Sequence, residues 1–168
     1  MAKKEKENQA SNPRLILVIR IRGSININHK IEDTLKMLRL HKVNHGVIVS
    51  ANKTTVGMLK KVKDYVAYGE LDQDLLLSLL RRRALIEGNR PLTEEHLKNK
   101  TGYSSIKDLA QDLMAGKINY KDLYKIKPIF RLHPPKGGFR GTIKKPYSSG
   151  GTLGNVGSYI NVLAKKMI

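Results

Sequence analysis

The chain has 168 residues, 32 of them Lys or Arg against 14 Asp or Glu, which gives a formal net charge of +18. A small soluble domain usually carries a net charge of about 2 to 8, so this excess predicts a polyanionic partner, nucleic acid above all. The absence of cysteine excludes disulfides, thiolate zinc sites and a cysteine nucleophile. No apolar run approaches the roughly eighteen residues of a membrane span, and the lysine-rich start lacks the apolar segment of a secretory signal. We therefore expect a cytoplasmic protein.

The positive charge is unevenly distributed along the sequence. Residues 123–168 carry nine basic and no acidic side chains, and residues 15–70 carry ten against four, whereas residues 71–122 are nearly neutral with nine against eight. The tail and the N-terminal core are therefore the candidate binding segments. Residues 1–13 offer almost no apolar side chains to bury, which predicts a mobile basic leader that either binds the partner or merely solubilises the chain.

The segment from Leu15 to Arg22 is the longest aliphatic and β-branched run, which predicts a strand covered on both faces. From Val18 onward it alternates, so that Arg20 and Arg22 share a face and form a candidate anion site at the end of the strand. Cross-strand pairing of the two arginines with Glu70 or Asp64 is the alternative.

Four further elements complete a predicted core over residues 14–71. They are a helix over 29–40 capped by Asn26 or Asn28, a strand over 44–50, a short helix capped by Asn52, and a strand over 64–71. This order predicts a small sheet with two helices on one face, an α+β fold. Lys60, Lys61 and Lys63 lie on the outer side of the second helix, where a solvated surface is the ordinary interpretation.

Residues 72–127 are predicted to form a helical insert, with helices over 72–87, 93–102 and 105–115. Its near-neutral charge makes it a candidate for protein contact or for an outward, solvent-facing position. Arg81, Arg82 and Arg83 spread around the first of these helices and are balanced by nearby acids, so we expect them to be surface residues.

Residues 128–168 are predicted to form a basic tail that ends in a helix over 156–168. A strand over 129–133 precedes a long loop rich in Gly, Pro and Lys over 134–151. A loop of that length is either disordered or held by a ligand.

The tail combines cations, glycines and two aromatic rings, Phe139 and Tyr147, with no carboxylate. Cations neutralise phosphates, glycines let the main chain approach closely, and rings stack on unpaired bases. The absence of a major-groove recognition helix favours structured RNA over DNA. A disordered basic tail with both rings folded into the core is the alternative.

The sequence argues against an enzyme and against a metal site. His41 and His45 have the spacing of some metal ligands but lack the intervening glutamate. The glycine-rich segment 150–157 lacks the Lys and Ser or Thr of a phosphate-binding loop. No nucleophile with a nearby base is evident, so we expect no catalysis and no cofactor.

Several motifs together resemble a known family. They are Arg20-Ile21-Arg22-Gly23, the segments Thr34–Leu40 and Val56–Val62, and in the tail Phe130–Phe139, Lys144–Ser148 and Gly150-Gly151. They resemble the universal large-subunit ribosomal protein family numbered thirty in bacteria and seven in eukaryotes, in its longer archaeal form. The resemblance covers about residues 13–168, and the tail is its more specific half.

The resemblance implies a ferredoxin-like core, a structural role in the large ribosomal subunit, and contact with its ribosomal RNA near the small ribosomal RNA of that subunit. Neighbouring ribosomal proteins are further expected partners; membranes and DNA are not. An RNA-processing enzyme or a ribosome-assembly factor is the alternative. The candidate RNA-facing residues are Arg20, Arg22, His45, Lys53, Thr54, Lys60, Lys61 and Lys63 in the core, and Arg131, His133, Lys136, Gly137, Gly138, Phe139, Arg140, Lys144, Lys145 and Tyr147 in the tail.

Overall fold

A computed structural model describes residues 14–101, 103–123 and 125–168. The predicted leader over residues 1–13 lies outside the described residues. Within these ranges the chain forms the following strands and α-helices: β1 (Leu15–Arg20), α1 (His29–Met37), β2 (His45–Ser50), α2 (Lys53–Val62), β3 (Val66–Glu70), α3 (Gln73–Arg83), α4 (Glu94–Thr101), α5 (Ile106–Met114), β4 (Phe130–Arg131), β5 (Gly154–Asn155) and α6 (Tyr159–Met167). No helix in the described ranges is long and apolar enough to cross a bilayer.

The strands form one mixed sheet in the order β4-β2-β1-β3-β5. The central strand β1 pairs antiparallel with β2 and with β3, so that Leu17 lies between Ile48 and Gly69. The tail adds one short strand at each edge, because β4 pairs antiparallel with β2 and β5 pairs parallel with β3. The predicted α+β, ferredoxin-like fold class is thereby confirmed.

Helices cover both faces of the sheet, not one face as the core pattern alone predicted. Val18 and the residues opposite it on the neighbouring strands, Val47 and Tyr68, pack against α1 and α2. Leu17 and Ile19 point the other way, into a hydrophobic cluster that also contains residues of α3, α5 and α6 and so joins the core, the insert and the tail. The continuous apolar run of β1 requires this second layer, since its side chains alternate between the faces.

Four predicted elements end two or more residues earlier than their sequence patterns suggested. Two of them are α1, which ends at Met37 rather than at residue 40, and β4, which ends at Arg131 rather than at residue 133; the other two are β1 and α3. β1 ends at Arg20 rather than Arg22, because the N–H groups of Ile21 and Arg22 both donate to the Tyr65 carbonyl, at 2.9 and 3.1 Å. Helix α3 ends at Arg83 instead of near residue 87, since Ala84 is already extended. Gly88, with φ +80°, serves the tight turn that follows α3 and does not terminate the helix.

The tail is fixed to the core through α6. The Asn161 side chain accepts from the Asp72 N–H at 3.1 Å and donates to the Glu70 carbonyl at 3.0 Å. Both backbone groups belong to the junction between β3 and α3, so one buried amide satisfies polar groups that the sheet leaves open. Gly69 in β3 also meets this part of the tail, because a β-carbon there would overlap the Gly157 carbonyl oxygen.

Exchanging two glycines for alanine should have opposite effects on stability. Gly69→Ala is expected to lower the free energy of unfolding by about 1 to 3 kcal/mol, since the new methyl group forces the tail away from β3. Gly57→Ala in α2 has open space around its β-carbon and should raise it by about 0.5 to 1 kcal/mol through helix propensity. Urea unfolding of both variants measures the difference, and two changes of the same sign would contradict this packing.

Candidate nucleic-acid interface

Most of the core candidates lie at one end of the sheet. β1 ends where β2 and β3 begin, because both pair with it antiparallel. β4 ends at the same place, with Arg131 opposite His45, and β5 begins there, with Gly154 opposite Ala67. The last turn of α2 leads directly into β3. We call this surface the basic end; it comprises Arg22, His45, Lys60, Lys61, Lys63 and Arg131.

Arg20 is not an exposed member of the basic end, contrary to expectation. Only 2% of the residue is exposed. Its guanidinium donates to the carbonyl oxygens of Leu40 at 2.8 Å, His41 at 3.0 Å and Arg22 at 2.9 Å, and to the Ser24 hydroxyl at 2.7 Å. These contacts engage all three guanidinium nitrogens. Arg20 therefore connects β1 to the neighbouring loops, and little of its guanidinium group remains available to bind a ligand.

Arg22 is half-buried and keeps part of its guanidinium accessible. Nη1 donates to the Asp64 carbonyl at 3.2 Å, and the group lies 5.0 Å from the centre of the Tyr65 ring. The alternative pairing with acidic side chains does not occur as predicted, because the Glu70 carboxylate pairs with Arg14 at 2.9 Å. Arg22 is thus oriented by a ring and a carbonyl, which leave its positive charge unneutralised.

His45 and Arg131 form a cross-strand pair at the edge of the sheet. His45 is half-buried, and its Nδ1 has no hydrogen-bond partner among the described residues. Burial lowers the pKa of His45 below its ordinary value, and the positive charges of Arg131, His41 and Lys42 lower it further. The imidazole is therefore neutral at neutral pH, and it becomes charged more readily once a phosphate offsets its neighbours.

The lowered pKa of His45 predicts a pH-dependent stability. The unfolded chain takes up a proton near pH 6.5, whereas the folded chain does so only at lower pH, so stability falls as pH decreases below about 6.5. We expect His45→Gln to lose less stability than the parent chain between about pH 7.5 and about pH 5.5 in urea unfolding. His133→Gln is the control, since His133 is exposed and contacts Met167 through its backbone N–H. Identical losses in parent and His45→Gln would contradict the assignment.

The lysines of α2 divide between the two ends of the sheet. Lys60, Lys61 and Lys63 are exposed beside the start of β3. Lys53 and Thr54 begin the helix, directly after β2 has ended, so they lie at the opposite end. The structure thus does not bring Lys53 and Thr54 together with the other candidates.

The long loop of the tail is closed by its own backbone over residues 140–153. The Tyr147 N–H donates to the Leu153 carbonyl at 2.9 Å, and the Leu153 N–H donates to the Lys145 carbonyl at 3.3 Å. A β-carbon at Gly151 would overlap the Lys145 carbonyl oxygen, so glycine permits this closure. The side chains of Lys144 and Lys145 project from the closed loop into solvent.

The aromatic residues of the tail form a stack with an arginine at its edge. The rings of Tyr147 and Tyr159 lie 5.6 Å apart at 29°. The Arg140 guanidinium lies 4.9 Å from the Tyr147 ring centre and donates to the Tyr147 hydroxyl at 2.7 Å. Phe139 packs against the core together with both tyrosines. The half-buried rings orient the loop, whereas Arg140 remains exposed. The alternative that Phe139 and Tyr147 fold into the core is therefore correct in part.

The first part of the tail runs beside the last turn of α6. The His133 N–H donates to the Met167 carbonyl at 2.9 Å, and the Lys136 N–H donates to the Lys166 carbonyl at 3.0 Å. Lys165 and Lys166, which were not among the predicted residues, are exposed here and add two positive charges. Their position in the last turn of a predicted amphipathic helix is the sequence feature that could have identified them as exposed cations.

The combined surface is suited to binding a polyanion and not to catalysing a reaction. It offers exposed cations held on rigid strands, helices and a closed loop, together with aromatic edges. Among the described residues, no three His, Asp or Glu side chains cluster as metal ligands would. Phosphate neutralisation and stacking need only such groups.

Comparisons with known proteins assign the chain to a family. A family profile described as Ribosomal protein L30p/L7e matches residues 16–66. The chain is 48% identical to the large ribosomal subunit protein uL30 of Methanoculleus marisnigri, over 89% of this chain and 97% of the relative. It is 46% identical to uL30 of Hyperthermus butylicus over 99% and 97%, and 49% identical to uL30 of Thermoplasma acidophilum over 92% and 93%. The resemblance predicted from the motifs is thereby confirmed: the chain belongs to the L30p/L7e family of ribosomal proteins.

Proposed function

We propose that the protein is a structural constituent of the large ribosomal subunit in the cytoplasm and binds its ribosomal RNA through the basic end and the tail loop 140–153. The observation that supports this most strongly is the convergence of the charges. The basic end receives residues from α2, β2 and β4, and the loop that precedes β5 presents Arg140, Lys144 and Lys145. Full-length similarity to large-subunit proteins makes ribosomal RNA the natural polyanion.

Electrostatic attraction supplies most of the affinity in this proposal, and the rigid loop supplies the orientation. Residues 123–168 contain nine basic and no acidic side chains, so no internal carboxylate competes with phosphate there. The loop is already closed by its own hydrogen bonds, so less conformational entropy is lost on binding than for a disordered tail. A shaped, preorganised surface favours irregular RNA over a uniform duplex.

The helical insert is the proposed site of contact with neighbouring ribosomal proteins. Its helices α3 and α5 pack against each other and bury their apolar faces in the cluster that also contains Leu17 and Ile19 of β1, while its exposed surface is nearly neutral in charge. Cross-links from Lys98 or Lys107 to another protein in assembled subunits would support contact, whereas free chemical modification of both would place the insert in solvent. We further propose, on the basis of the family resemblance, that the RNA contact lies near the small ribosomal RNA of the subunit.

Sedimentation of a cell extract tests the proposed role directly. The protein is followed by mass spectrometry through gradients at low and high salt. We expect stoichiometric presence in the large subunit at both salt concentrations, since many phosphate contacts act together. Release at moderate salt, or presence only in light fractions, would instead indicate an assembly factor or an RNA-processing enzyme.

A further inference from the structure

A groove lies along the part of β2 that β4 leaves uncovered. It encloses about 230 Å³ and is lined by the β2 edge from Val47 to Ser50, by the end of α1, by the start of α2 and by residues 119–121. β4 pairs with β2 only as far as Gly46. Continuing that register would set Pro128, which has no N–H, opposite Ile48, so strand pairing stops there.

The lining of this groove combines apolar walls with a cationic rim. Met37, Val49 and Met58 form the walls, and 64% of Met37 is exposed. Arg39 and Lys121 are both exposed at the rim, and the described residues that line the groove include no carboxylate. Asn52 also lines it, and in the described structure its side chain makes no capping hydrogen bond to α2. An apolar slot beside cations and a free amide suits a planar base that carries a phosphate.

We propose that this groove binds one unpaired nucleotide of RNA, with the base between Met37 and Met58 and the phosphate at Arg39 and Lys121. The groove extends from Val47, two residues from His45 of the basic end, to the start of α2, where Lys53 and Thr54 are exposed. It would give the protein a second RNA contact. The inference rests on the proposed function, because an isolated nucleotide pocket needs RNA as its source.

A nucleotide fits the groove better than an added peptide strand. The volume of about 230 Å³ is below the roughly 300 to 1,000 Å³ of drug-sized sites and suits a single heterocyclic ring system. A peptide strand would need free backbone groups along β2. At the end of β2 the Ser50 carbonyl already accepts from the Asn52 N–H at 2.8 Å, so an added strand would lack that backbone acceptor.

Arg39 permits a test that leaves the fold intact. Its φ is +59°, a left-handed conformation that glycine adopts more readily than arginine. Arg39→Gly therefore removes the rim cation without a backbone penalty. Lys125→Gly is the matched control, since Lys125 has φ +56°, is exposed, pairs with Glu87 at 3.5 Å and does not line the groove.

Methionine methyl NMR of the full chain detects occupation of the groove. The protein is labelled at its methionine methyl groups and titrated with AMP, CMP, GMP and UMP, and separately with adenosine and with inorganic phosphate. We expect nucleoside monophosphates to shift the methyl signals of Met37 and Met58 but not that of the buried Met167, and adenosine and inorganic phosphate to bind more weakly than the monophosphates. Arg39→Gly should weaken monophosphate binding by about tenfold, as for one charge-assisted hydrogen bond, and Lys125→Gly should not.

The outcomes separate this inference from the proposed function. If large-subunit RNA binds and Met37 and Met58 do not respond to any monophosphate, the groove is not a nucleotide site although the protein binds RNA. If the protein binds no RNA at all, both proposals fail. A photoreactive side chain in place of Met37 should cross-link to RNA in assembled subunits; cross-links to protein alone would overturn the inference in favour of a peptide partner.

Discussion

Replacing Lys144 and Lys145 together by alanine is expected to weaken binding to large-subunit ribosomal RNA and to reduce its salt dependence. Each lost phosphate contact lowers the slope of log affinity against log salt by about 0.7 to 0.9, so two contacts lower it by about 1.4 to 1.8. The side chains are exposed, and the loop closes through the Lys145 carbonyl and not through its ammonium group. The double variant should therefore fold normally, and filter binding at several salt concentrations measures the effect.

The exposed pair Arg81 and Arg82 provides the matched control for this variant. Both lie in the last turn of α3, in the nearly neutral insert. Changing both to alanine removes the same formal charge, and we expect a much smaller change in affinity and slope. Equal effects of the two double variants would mean that net charge alone governs binding and that the loop has no specific part in it.

Arg20→Met is expected to destabilise the fold by about 3 kcal/mol or more. The variant keeps much of the side-chain volume, but it leaves the buried carbonyl group of Leu40 and the partly buried carbonyl groups of His41 and Arg22 without their donor. Each buried polar group that loses its partner costs about 1 to 3 kcal/mol. Urea unfolding at neutral pH measures the loss.

Arg22→Met is expected to affect RNA binding more than it affects stability. Arg22 makes one hydrogen bond to a carbonyl and one ring contact in a half-exposed position. We expect a stability loss of about 1 kcal/mol or less and a clear loss of RNA affinity. If Arg20→Met left stability unchanged and weakened only RNA binding, the interior role of Arg20 would be wrong.

The two arginines illustrate why the sequence predicted the fold better than the site. The alternation from Val18 correctly indicated which residues share a face of β1. It could not separate Arg20 from Arg22, because both have the same local pattern. Only the carbonyl groups at Leu40 and His41, brought back by the connection from α1 to β2, draw Arg20 inside.

In the tail, too, the sequence predicted local features but not the contacts between residues that are distant in sequence. Its composition predicted a loop rich in glycine, and the structure contains one. Which groups the glycines approach was not predictable, because the contact of Gly69 with Gly157 joins residues far apart in sequence. The stacking of Tyr147 on Tyr159 likewise depends on how α6 docks. The predicted range of α3 was too long because Leu85 and Ile86 continue its apolar pattern. In the structure both residues form isolated β-bridges instead.

Ultraviolet cross-linking of purified large subunits, followed by peptide mapping, tests the central claim most directly. We expect RNA adducts on tail peptides that contain Arg131 to Tyr147 and on peptides that contain Lys60, Lys61 or Lys63. Peptides from the nearly neutral insert, apart from residues 119–121 at the proposed groove, should carry none. Adducts confined to the insert, with the tail and the basic end unmodified, would contradict the proposed mode of RNA binding.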